Sequence, residues 1–536
     1  MNVLILGGGV MQLPAVRIAK AKGWKVFVAA REIDAAIRSL ADEAIAVDLS
    51  DREAVGREAD RLRERFGLDG VFTAGTDFST TVAWVADALR LPGIPYAVAL
   101  NATDKSRMRA RLRARGVPCP RFFTVRRGQL LERPEDFPFP LVVKPVDNMG
   151  ARGVRRVDHW GELAAAVQAA LEQSRSGTAI VEEYMEGPEL SLDAVVYRGQ
   201  ATVCGVADRH ICFPPYFVEM GHTMPSSLDP KLLAEAERVF KAGIRALGIR
   251  NGAAKGDIKI TARGPAVGEI AARLSGGYMS GWTFPLSSGV QVTEAALNIA
   301  VGLPPGDLRP RYAAVSAERA FISIPGRIVA IEGLPEVRQF AGVEELFLRV
   351  RVGDRVKLPV NNLEKCGNAI TRAETRGKAV TAAERAIQQV FLRLAPSDQA
   401  TESFLFSAEP GPWSAYSGLP GQFARRLAAL PEAVGQPAWA RRGPEGLAVL
   451  RPEGLGRERS RDWHGLELPA ALERVLGLTG VTAVDVPLPG KLTLGRVFWR
   501  LLRRGGVQGA VYLLDTLLRG GEDPQQALLR FREGAP

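Results

Sequence analysis

The stretch of sequence that decides the fold runs from residue 256 to residue 277 and reads GDIKITARGPAVGEIAARLSGG. Two alternating segments flank a turn at Ala262–Pro265, which predicts a β-hairpin. Because side chains alternate along a strand, Asp257 and Lys259 share one face, and Glu269 on the return strand is expected beside Asp257. Neighbouring carboxylates repel each other, and a bound cation relieves that cost. Hard oxygen ligands suit Mg²⁺, with Mn²⁺ as the alternative ion.

Arg273 adds a fixed positive charge close to this pair, of the kind that clamps a phosphoryl group. Two acids and an arginine around a metal ion favour phosphoryl transfer. The alternative for the same residues is a solvated hairpin with ordinary surface charges, so the function has to be judged with the rest of the chain.

Chain length, cysteine spacing and the length of the apolar segments limit the kinds of protein that this sequence can encode. A chain of 536 residues is too long for one core and predicts three or four domains. The four cysteines are scattered without a Cys-x-x-Cys pair, which is typical of a reducing compartment and argues against structural zinc. No apolar run has the length of a membrane span, and the start lacks the pattern of a signal peptide. We therefore expect a cytoplasmic protein without a membrane partner.

The net charge of +11 and the pI near 9.6 raise a nucleic-acid-binding alternative. The basic residues are mostly interspersed with acids, and the arginines between Arg107 and Arg115 alternate within a predicted helix, so they are expected to spread around its surface. No nucleic-acid partner is therefore expected. A basic face that attracts anionic nucleotides accounts for the charge equally well.

Residues 1–98 alternate strand and helix patterns, which predicts a parallel sheet with helices on its faces. Gly7-Gly8-Gly9 follows the first strand, as in a dinucleotide-binding fold. Gln12 then stands where the third glycine is expected, and Arg31 stands where a ribose-binding acid is expected. A nicotinamide or flavin cofactor is not predicted, and the glycines are expected to let the backbone approach another domain or a small substrate.

Two further segments have the chemistry of a nucleotide site. Residues 139–145 form a strand that ends near Lys144, and the glycine-bearing loop at residues 147–154 can turn backbone N–H groups toward a phosphate. Residues 179–191 read as strand, turn and strand, with backbone groups of Glu183 and Met185 facing a purine edge and Glu189 accepting from ribose hydroxyls. The alternatives are a plain hairpin turn and an acidic exposed hairpin.

These motifs follow one another in a single order, after a helix that opens at Lys105. Together they resemble the ATP-grasp superfamily, and within it the carboxylate–amine ligases of the L-amino-acid (dipeptide) ligase type, over about residues 1–394. The resemblance implies an α/β and α+β multidomain fold. It consists of a preATP-grasp parallel α/β domain (1–98), a two-subdomain ATP-grasp domain (99–312) and a C-terminal lid (313–396). Beyond the resemblance we expect an extra C-terminal accessory domain of unknown role (397–536).

The resemblance also assigns residues to the site. It implies that Lys144 and Arg273 are catalytic, that Asp257 and Glu269 hold the metal, and that Glu219, His222 and Arg273 meet the substrate, the first two within a loop at residues 215–225. The residues implied in ATP binding are Lys105, Lys144, Gly150, Ala151, Arg152, Gly153, Glu182, Glu183, Tyr184, Met185 and Glu189.

Two departures from the family pattern stand out. Ala271 replaces the asparagine that usually follows the second acid by two residues, so one oxygen ligand is missing and water is expected in its place. Ala151 and Arg152 replace the usual serine of the phosphate loop, where backbone donors survive and Arg152 adds charge. Both are interpreted as variation within active enzymes, although each leaves room for a weakened site.

The reaction implied is the ATP-dependent joining of a small carboxylate, such as an amino acid, to an amine through an acyl phosphate. ATP and Mg²⁺ are the expected cofactors, small molecules the expected partners, and a homodimer one expected assembly. One alternative is a carboxylase or a purine-pathway enzyme of the same superfamily, against which the loop with Glu219 and His222 argues. Another is a non-catalytic nucleotide-binding regulatory or assembly protein, which Ala271 supports.

Residues 397–536 lie outside the resemblance. Pro410-Gly411-Pro412 and Gly418-Leu419-Pro420 predict a linker-like start, and helical patterns follow at residues 468–476 and 494–503. Four tryptophans predict packed structure in this region: Trp413, Trp439, Trp463 and Trp499. Its expected roles are to cover the active site, to bind a partner or to mediate assembly.

Overall fold

The structure is a computed structural model that describes residues 1–132, 137–407 and 413–533. Residues 1–318 and 370–380 form one compact unit, and residues 319–369 and 381–536 form a second. The predicted linker residues Pro410-Gly411-Pro412 lie outside the described residues. None of the helices in the described part of the chain combines the length and apolarity that a membrane crossing needs.

The first unit begins with a parallel sheet, as predicted for residues 1–98. The strands are β1 (Asn2–Leu6), β2 (Lys25–Ala30), β3 (Glu43–Ala46) and β4 (Gly70–Phe72), in the order β3–β2–β1–β4. The helices are α1 (Leu13–Ala21), α2 (Ala35–Arg38), α3 (Arg52–Phe66) and α4 (Ser79–Leu89). Helix α3 shows why these boundaries arise: the Asp51 carboxylate accepts from the Ala54 N–H, and Gly67 ends the helix at φ 73°.

The glycine loop after β1 packs on its own domain. A Cβ at Gly8 would meet the Glu32 carbonyl oxygen at 2.1 Å, so only glycine fits there. Gln12 is buried and exchanges two hydrogen bonds with Ala74, donating to its carbonyl at 2.6 Å and accepting from its N–H at 3.1 Å. The expectation that these glycines approach another domain or a substrate is therefore wrong for Gly8, and Gln12 is a structural clamp to the end of β4.

The next part of the first unit contains an antiparallel sheet. Its strands are β5 (Phe122–Arg126), β6 (Leu141–Pro145), β7 (Arg155–Val157) and β8 (Thr178–Glu183), in the order β5–β8–β6–β7. The helices are α5 (Tyr96–Thr103) and α6 (Lys105–Ala114), which precede the sheet, and α7 (Trp160–Gln173), which packs on it. The apolar face of α7 and the inner face of the sheet share one core, with Val143 and Ala170 fully buried.

A larger antiparallel sheet follows. Its strands are β9 (Glu189–Tyr197), β10 (Gln200–Cys212), β11 (Val218–Met224), β12 (Gly252–Thr261) and β13 (Gly264–Ala271), in the order β13–β12–β9–β10–β11. Residues 315–318 and 370–373 of two later strands, Val315–Phe321 and Gly367–Ala373, extend it beyond β11. The helices of this part are α8 (Pro230–Leu247), α9 (Phe284–Ser288) and α10 (Val292–Ala300). Helix α8 packs against β12 and β13, so the opposite face of these strands is left for the site.

The second unit mixes short strands and helices around one core. Its remaining strands are Gly326–Glu332, Val343–Leu348, Arg355–Val356, Phe391–Leu394, Ala433–Val434, Leu447–Leu450, Thr482–Val484 and Leu492–Leu494. Its helices are Leu334–Val337, Arg376–Gln389 (which begins in the first unit), Gln399–Phe406, Gly421–Ala429, Leu468–Thr479, Arg496–Arg519 and Pro524–Glu533. The sequence pattern of residues 382–394 predicts a continuous helix, but the helix ends at Gln389, because Phe391–Leu394 pairs with Gly326–Glu332 as a strand.

In the accessory region, residues 397–536, one predicted helix is longer than expected. The helix predicted over residues 494–503 extends from Arg496 to Arg519 and is interrupted at Gly506, where φ is 61° and ψ is −153°. Of the tryptophans expected to pack, Trp499 is fully buried and donates from its indole N–H to the Leu450 carbonyl at 2.8 Å. Packed structure in this region is therefore confirmed.

Candidate active site

The predicted acidic pair lies across the β12–β13 hairpin. Asp257 and Glu269 are direct register partners, with a register irregularity immediately after Asp257. One oxygen of Asp257, Oδ2, contacts the Lys255 ammonium and the Arg209 guanidinium, the latter at 2.9 Å. The other oxygen, Oδ1, is buried without a hydrogen-bond partner. A buried carboxylate oxygen without a donor is where a cation is expected to bind.

Glu269 faces several positive charges. The Lys105 ammonium lies 3.5 Å from its carboxylate. Burial alone would raise the pKa of Glu269, but Lys105, Lys255 and Lys144 outweigh it and hold the pKa well below its usual range. Glu269 is therefore ionised across the physiological pH range, as a metal ligand requires.

Both predicted phosphate lysines lie close enough to Glu269 for their charges to lower its pKa. Lys105 also donates to the Asn148 carbonyl at 2.7 Å, immediately before the glycine loop. Lys144 contacts the Glu182 carboxylate at 2.7 Å, and burial lowers the pKa of Lys144 although Glu182 opposes that shift. The structure thus brings both lysines to the cleft in which the sequence predicts the triphosphate.

The Glu182 side chain is buried in an ion-pair network, whereas the sequence predicts it in the hinge that contacts the purine. Its carboxylate is buried, and besides Lys144 it accepts from Nε of Arg109 at 2.8 Å. Arg109 is fully buried and also donates to the Gly268 carbonyl at 2.5 Å, so it does not lie on the surface of α6 as predicted. A single inward-facing arginine cannot be recognised in a run in which every second residue is arginine. Glu182 and Arg109 together orient Lys144.

The rest of the predicted hinge lies at the end of β8. The Glu183 carboxylate contacts Arg121 at 3.3 Å and Arg263 at 2.8 Å, and its N–H donates to the Arg121 carbonyl at 3.1 Å. The ring of Tyr184 is covered by the Arg156 guanidinium, 4.6 Å from the ring centroid. Met185 follows directly and is half-buried, just before the exposed residues 186–188 that precede β9.

The predicted phosphate loop has left-handed backbone at Gly150, Ala151 and Gly153, with φ between 60° and 69°. Such a backbone turns successive N–H groups to one side. The Arg152 guanidinium contacts the Asp77 carboxylate, which follows β4, and donates to the Met149 carbonyl at 3.0 Å. Arg152 therefore ties the loop to the parallel α/β domain.

Arg209 joins three of the predicted subsites and was missed by the sequence analysis. Its guanidinium contacts Glu189, the predicted ribose acceptor, and Glu219, the predicted substrate residue, at 2.6 Å, as well as Asp257. Lys259 contacts Glu189 at 3.2 Å. The alternation of side chains along β10 could have revealed Arg209, because it puts Arg209 on the same face of the sheet as Glu189 of β9. Arg209 and Glu189 are register partners in the structure.

Two of the three predicted substrate residues, Glu219 and His222, lie together on the strand β11 and not in a loop. His222 is buried, with Nε2 3.4 Å from Glu219 and Nδ1 3.0 Å from Glu318. Burial would lower the pKa of His222, but the two carboxylates outweigh it and raise the pKa above its usual value. Glu318 was missed, because 96 residues separate it from His222 in the sequence.

Arg273 leaves the hairpin toward the parallel domain. Its Nε donates to the Thr76 carbonyl at 3.1 Å, and Nη1 donates to the Leu274 carbonyl at 2.8 Å. Ser275 donates through its hydroxyl, at 2.6 Å, to Asp193, a fully buried residue that the sequence analysis also missed. Burial raises the pKa of Asp193 to about 7. Asp193 therefore anchors the segment that carries Arg273.

The donor set fits a single hard cation. Within the described ranges no group of three or more His, Cys, Asp or Glu side chains is arranged to hold a metal ion. Two carboxylates that are register partners, one with a buried free oxygen, suit an ion that completes its octahedron with phosphate oxygens and water.

Two segments of the chain match known domain families. Residues 137–281 match the ATP-grasp domain, and residues 320–395 match the L-amino acid ligase C-terminal domain 2. The chain therefore contains an ATP-grasp domain and a C-terminal segment of the L-amino acid ligase type. Its fold is similar to that of an L-amino acid ligase from Bacillus licheniformis, with a TM-score of 0.64 and 23% identity over 74% of this chain and 98% of the other.

Curated relatives agree with this assignment. The uncharacterized protein y4rH of Sinorhizobium fredii is 26% identical over 360 residues, which are 66% of this chain and 74% of that protein. Carnosine synthase 1 of Gallus gallus is 29% identical over 277 residues, which are 48% of this chain and 30% of that protein. The match thus spans under a third of the length of the carnosine synthase.

The matches confirm the coarse prediction. The matched domains, with the carnosine synthase and D-alanine–D-alanine ligase relatives, support an ADP-forming carbon–nitrogen ligase. The fold class is confirmed as well, from the parallel first sheet to the extra C-terminal region.

Proposed function

We propose that this ATP-grasp protein joins a small carboxylate, with an amino acid as the first candidate, to an amine through an acyl phosphate. The observation that carries the proposal is the Arg209 guanidinium, which contacts both Asp257 of the predicted metal pair and Glu219 of the predicted substrate loop. A single rigid group thus spans the phosphoryl-transfer side and the amino-acid side of the site.

The nucleotide side follows from the positive groups. Lys105, Lys144 and the backbone N–H groups of the loop at residues 150–153 hold the phosphates, the backbone near Met185 meets the adenine, and Glu189 accepts from the ribose. Glu182 and Arg109 keep Lys144 extended toward the cleft, because each is buried and paired. The proposed domain division at residues 98, 312 and 396 places these groups in the ATP-grasp domain.

The first chemical step transfers the γ-phosphoryl group to the substrate carboxylate. A carboxylate oxygen attacks the phosphorus, the bond to the bridging oxygen breaks, and ADP leaves. The negative charge spread over the phosphoryl oxygens is stabilised by Lys144 and by Arg273, whose guanidinium is fixed by the Thr76 and Leu274 carbonyls. A divalent ion held by Asp257 and Glu269 would supply further charge neutralisation of the phosphates.

The second step forms the amide. The amine nitrogen attacks the acyl carbon, the carbon–oxygen bond to the phosphoryl group breaks, and inorganic phosphate leaves while the nitrogen loses a proton. Phosphorylation is needed because oxide is a poor leaving group and phosphate is a good one. Glu219 and His222 position the polar end of the amino acid. The loop at residues 150–153 excludes water from the acyl phosphate.

A paired screen tests this proposal. ADP release is measured over a matrix of amino acids and other small carboxylates against amines, and products are identified by mass spectrometry. We expect ADP release that requires both partners, with one amide formed per ADP. Hydroxylamine in place of the amine should trap the acyl phosphate as a hydroxamate.

The same screen separates the alternatives. ADP release only with bicarbonate or ribonucleotides would establish a carboxylase or purine-pathway reaction instead. Binding of ATP without phosphate release under any condition would establish a non-catalytic nucleotide-binding protein. A cytoplasmic location and a homodimer stay predictions, which cell fractionation and light scattering of the purified chain test.

A further inference from the structure

The face of the β12–β13 hairpin that carries the acidic pair contains a second cross-strand pair. Lys255 is the register partner of Ala271, directly beside the register pair formed by Asp257 and Glu269. Since residues two apart on a strand share a face, the four positions form a quartet on the same face. Asp257 and Glu269 supply two carboxylates, Lys255 supplies an ammonium group, and Ala271 supplies a methyl group that cannot bind a metal ion.

We propose that the Lys255 ammonium is a built-in cation of this site, and that the site therefore takes one divalent ion with the nucleotide and not two. This inference rests on the proposed function, because it concerns the ion that accompanies the bound nucleotide.

The first support is the contact itself. The Lys255 ammonium contacts Oδ2 of Asp257, and the Arg209 guanidinium lies 2.9 Å from the same oxygen. Lys255 is mostly buried, with 12% of its side chain exposed. Oδ2 therefore already has two cationic partners, and only Oδ1 is buried without one. A single carboxylate oxygen is left on Asp257 for a metal ion.

The second support is the charge around the pair. Asp257 and Glu269 carry two negative charges. Lys255 and Lys105 each bring a positive charge into contact with them, and Arg209 brings a third that it shares with Glu189 and Glu219. One divalent ion is favoured here once the triphosphate adds its own negative charge. A second divalent ion beside Oδ2 would lie next to an ammonium and a guanidinium, and like charges at such short range in a partly buried site repel strongly.

The third support is Ala271, the cross-strand partner of Lys255. A second ion bridging the pair would need an additional oxygen ligand from the hairpin, and Ala271 has none. The methyl group of Ala271 and the ammonium of Lys255 thus act in the same direction. Ala271 removes an oxygen ligand, and Lys255 places a positive charge beside Asp257.

Counting Mn²⁺ tests the inference. The full chain is saturated with the non-hydrolysable analogue AMP-PNP, Mn²⁺ is titrated, and free Mn²⁺ is read from its electron paramagnetic resonance signal. We expect one tightly bound Mn²⁺ per bound nucleotide in the wild-type chain. Lys255→Met, which keeps the length of the side chain but removes its charge, should bind a second Mn²⁺ at least about tenfold more tightly than the wild type does.

Two further variants keep the experiment decisive. Lys255→Arg retains the charge and should bind one ion. Lys259→Met removes a lysine from the same face of the same strand, but that lysine contacts Glu189, so one ion is again expected. If Lys255→Met does not fold, two other measurements test the inference. They are the number of Mn²⁺ ions bound by the wild type, expected to be one, and the number bound by the double variant Lys255→Ser/Ala271→Asn, expected to be two.

The outcomes distinguish this inference from the proposed function. Two tightly bound Mn²⁺ in the wild type, or a single ion of unchanged affinity in Lys255→Met, would overturn the inference and leave the proposed ligase intact. Failure of the wild-type chain to retain AMP-PNP in equilibrium dialysis would overturn both.

Discussion

Single residues determine what the site does, and Arg273 is the first that can be tested. Its guanidinium is fixed by two backbone carbonyls. Under the proposed mechanism it is therefore preorganised for the charge that develops on the phosphoryl group. We expect Arg273→Ala to bind ATP with near-normal affinity but to lower kcat by about a hundredfold, the usual effect of removing one preorganised charge. Steady-state kinetics with a separate nucleotide-binding measurement checks this.

Arg238→Ala is the matched control for Arg273, because Arg238 lies on α8 with 70% of its side chain exposed. It should change neither kcat nor nucleotide affinity. Near-normal amide formation by Arg273→Ala would show that Arg273 does not stabilise the transition state.

His222 predicts a pH dependence of stability. Its pKa is raised in the folded chain by Glu219 and Glu318, so the protonated form stabilises the fold. That stabilisation is fully present below the ordinary histidine pKa of about 6.5 and is lost as the pH rises through the raised folded value. The melting temperature of wild type minus that of His222→Asn should therefore fall between neutral and alkaline pH.

His159 provides the comparison, since it is an exposed histidine just before α7. The difference in melting temperature between wild type and His159→Asn should stay flat over the same pH range. A difference for His222→Asn that is equally flat would mean that the folded chain does not hold the imidazolium more tightly than the unfolded chain does.

At the scale of elements, the hairpin of β12 and β13 depends on a close approach to α8. A Cβ at Gly256 would meet the ring of Phe240 at 2.5 Å, and Phe240 is fully buried, so the ring has little room to move. We expect Gly256→Ala to destabilise the first unit by about 1–3 kcal/mol through overpacking. Urea denaturation followed by tryptophan fluorescence measures it.

Gly161→Ala is the paired control in the first turn of α7, where an added Cβ would meet nothing within 4 Å. Because alanine restricts the unfolded chain more than glycine does, this change should be neutral or slightly stabilising. Equal stability of Gly256→Ala and wild type would show that α8 can shift away from the strand.

The hairpin also shows what the sequence does and does not predict. Alternation on both sides of a short turn is local information, so the pairing of Asp257 with Glu269 was predictable and is observed, although the turn is only Ala262-Arg263 and not the four residues expected. The partners from β9, β10 and the strand at Val315–Phe321 were not, because Asp193, Arg209 and Glu318 reach the site only through the order and register of distant strands. The strand at Phe391–Leu394 was missed for a related reason: its apolar residues continue the helical pattern before it.

On the scale of the whole molecule, the second unit has one core that is shared between distant parts of the sequence. Ile324, Phe391 and Leu394 belong to the same buried cluster as Trp499 and Phe498. The Arg393 guanidinium contacts the buried Asp515 carboxylate at 2.5 Å, and the Gln508 amide donates to the Leu392 carbonyl at 2.9 Å. Periodicity along the chain cannot reveal such sharing, since each segment alone looks like an ordinary amphipathic element.

This shared core predicts the result of a truncation. A chain that ends after Pro396 loses the partners of Phe391 and Leu394 and leaves Arg393 without Asp515. Exposed apolar surface on that scale cannot be tolerated in water, so we expect the truncated chain to bind the dye ANS, to aggregate and to lose the unfolding transition of the second unit in calorimetry. Co-expression of residues 397–536 as a separate polypeptide should restore solubility by copurifying with residues 1–396. A buried cluster that loses half of its residues stays folded only when other contacts replace them. A monodisperse truncated chain that does not bind ANS would therefore mean that residues 319–396 complete a core of their own.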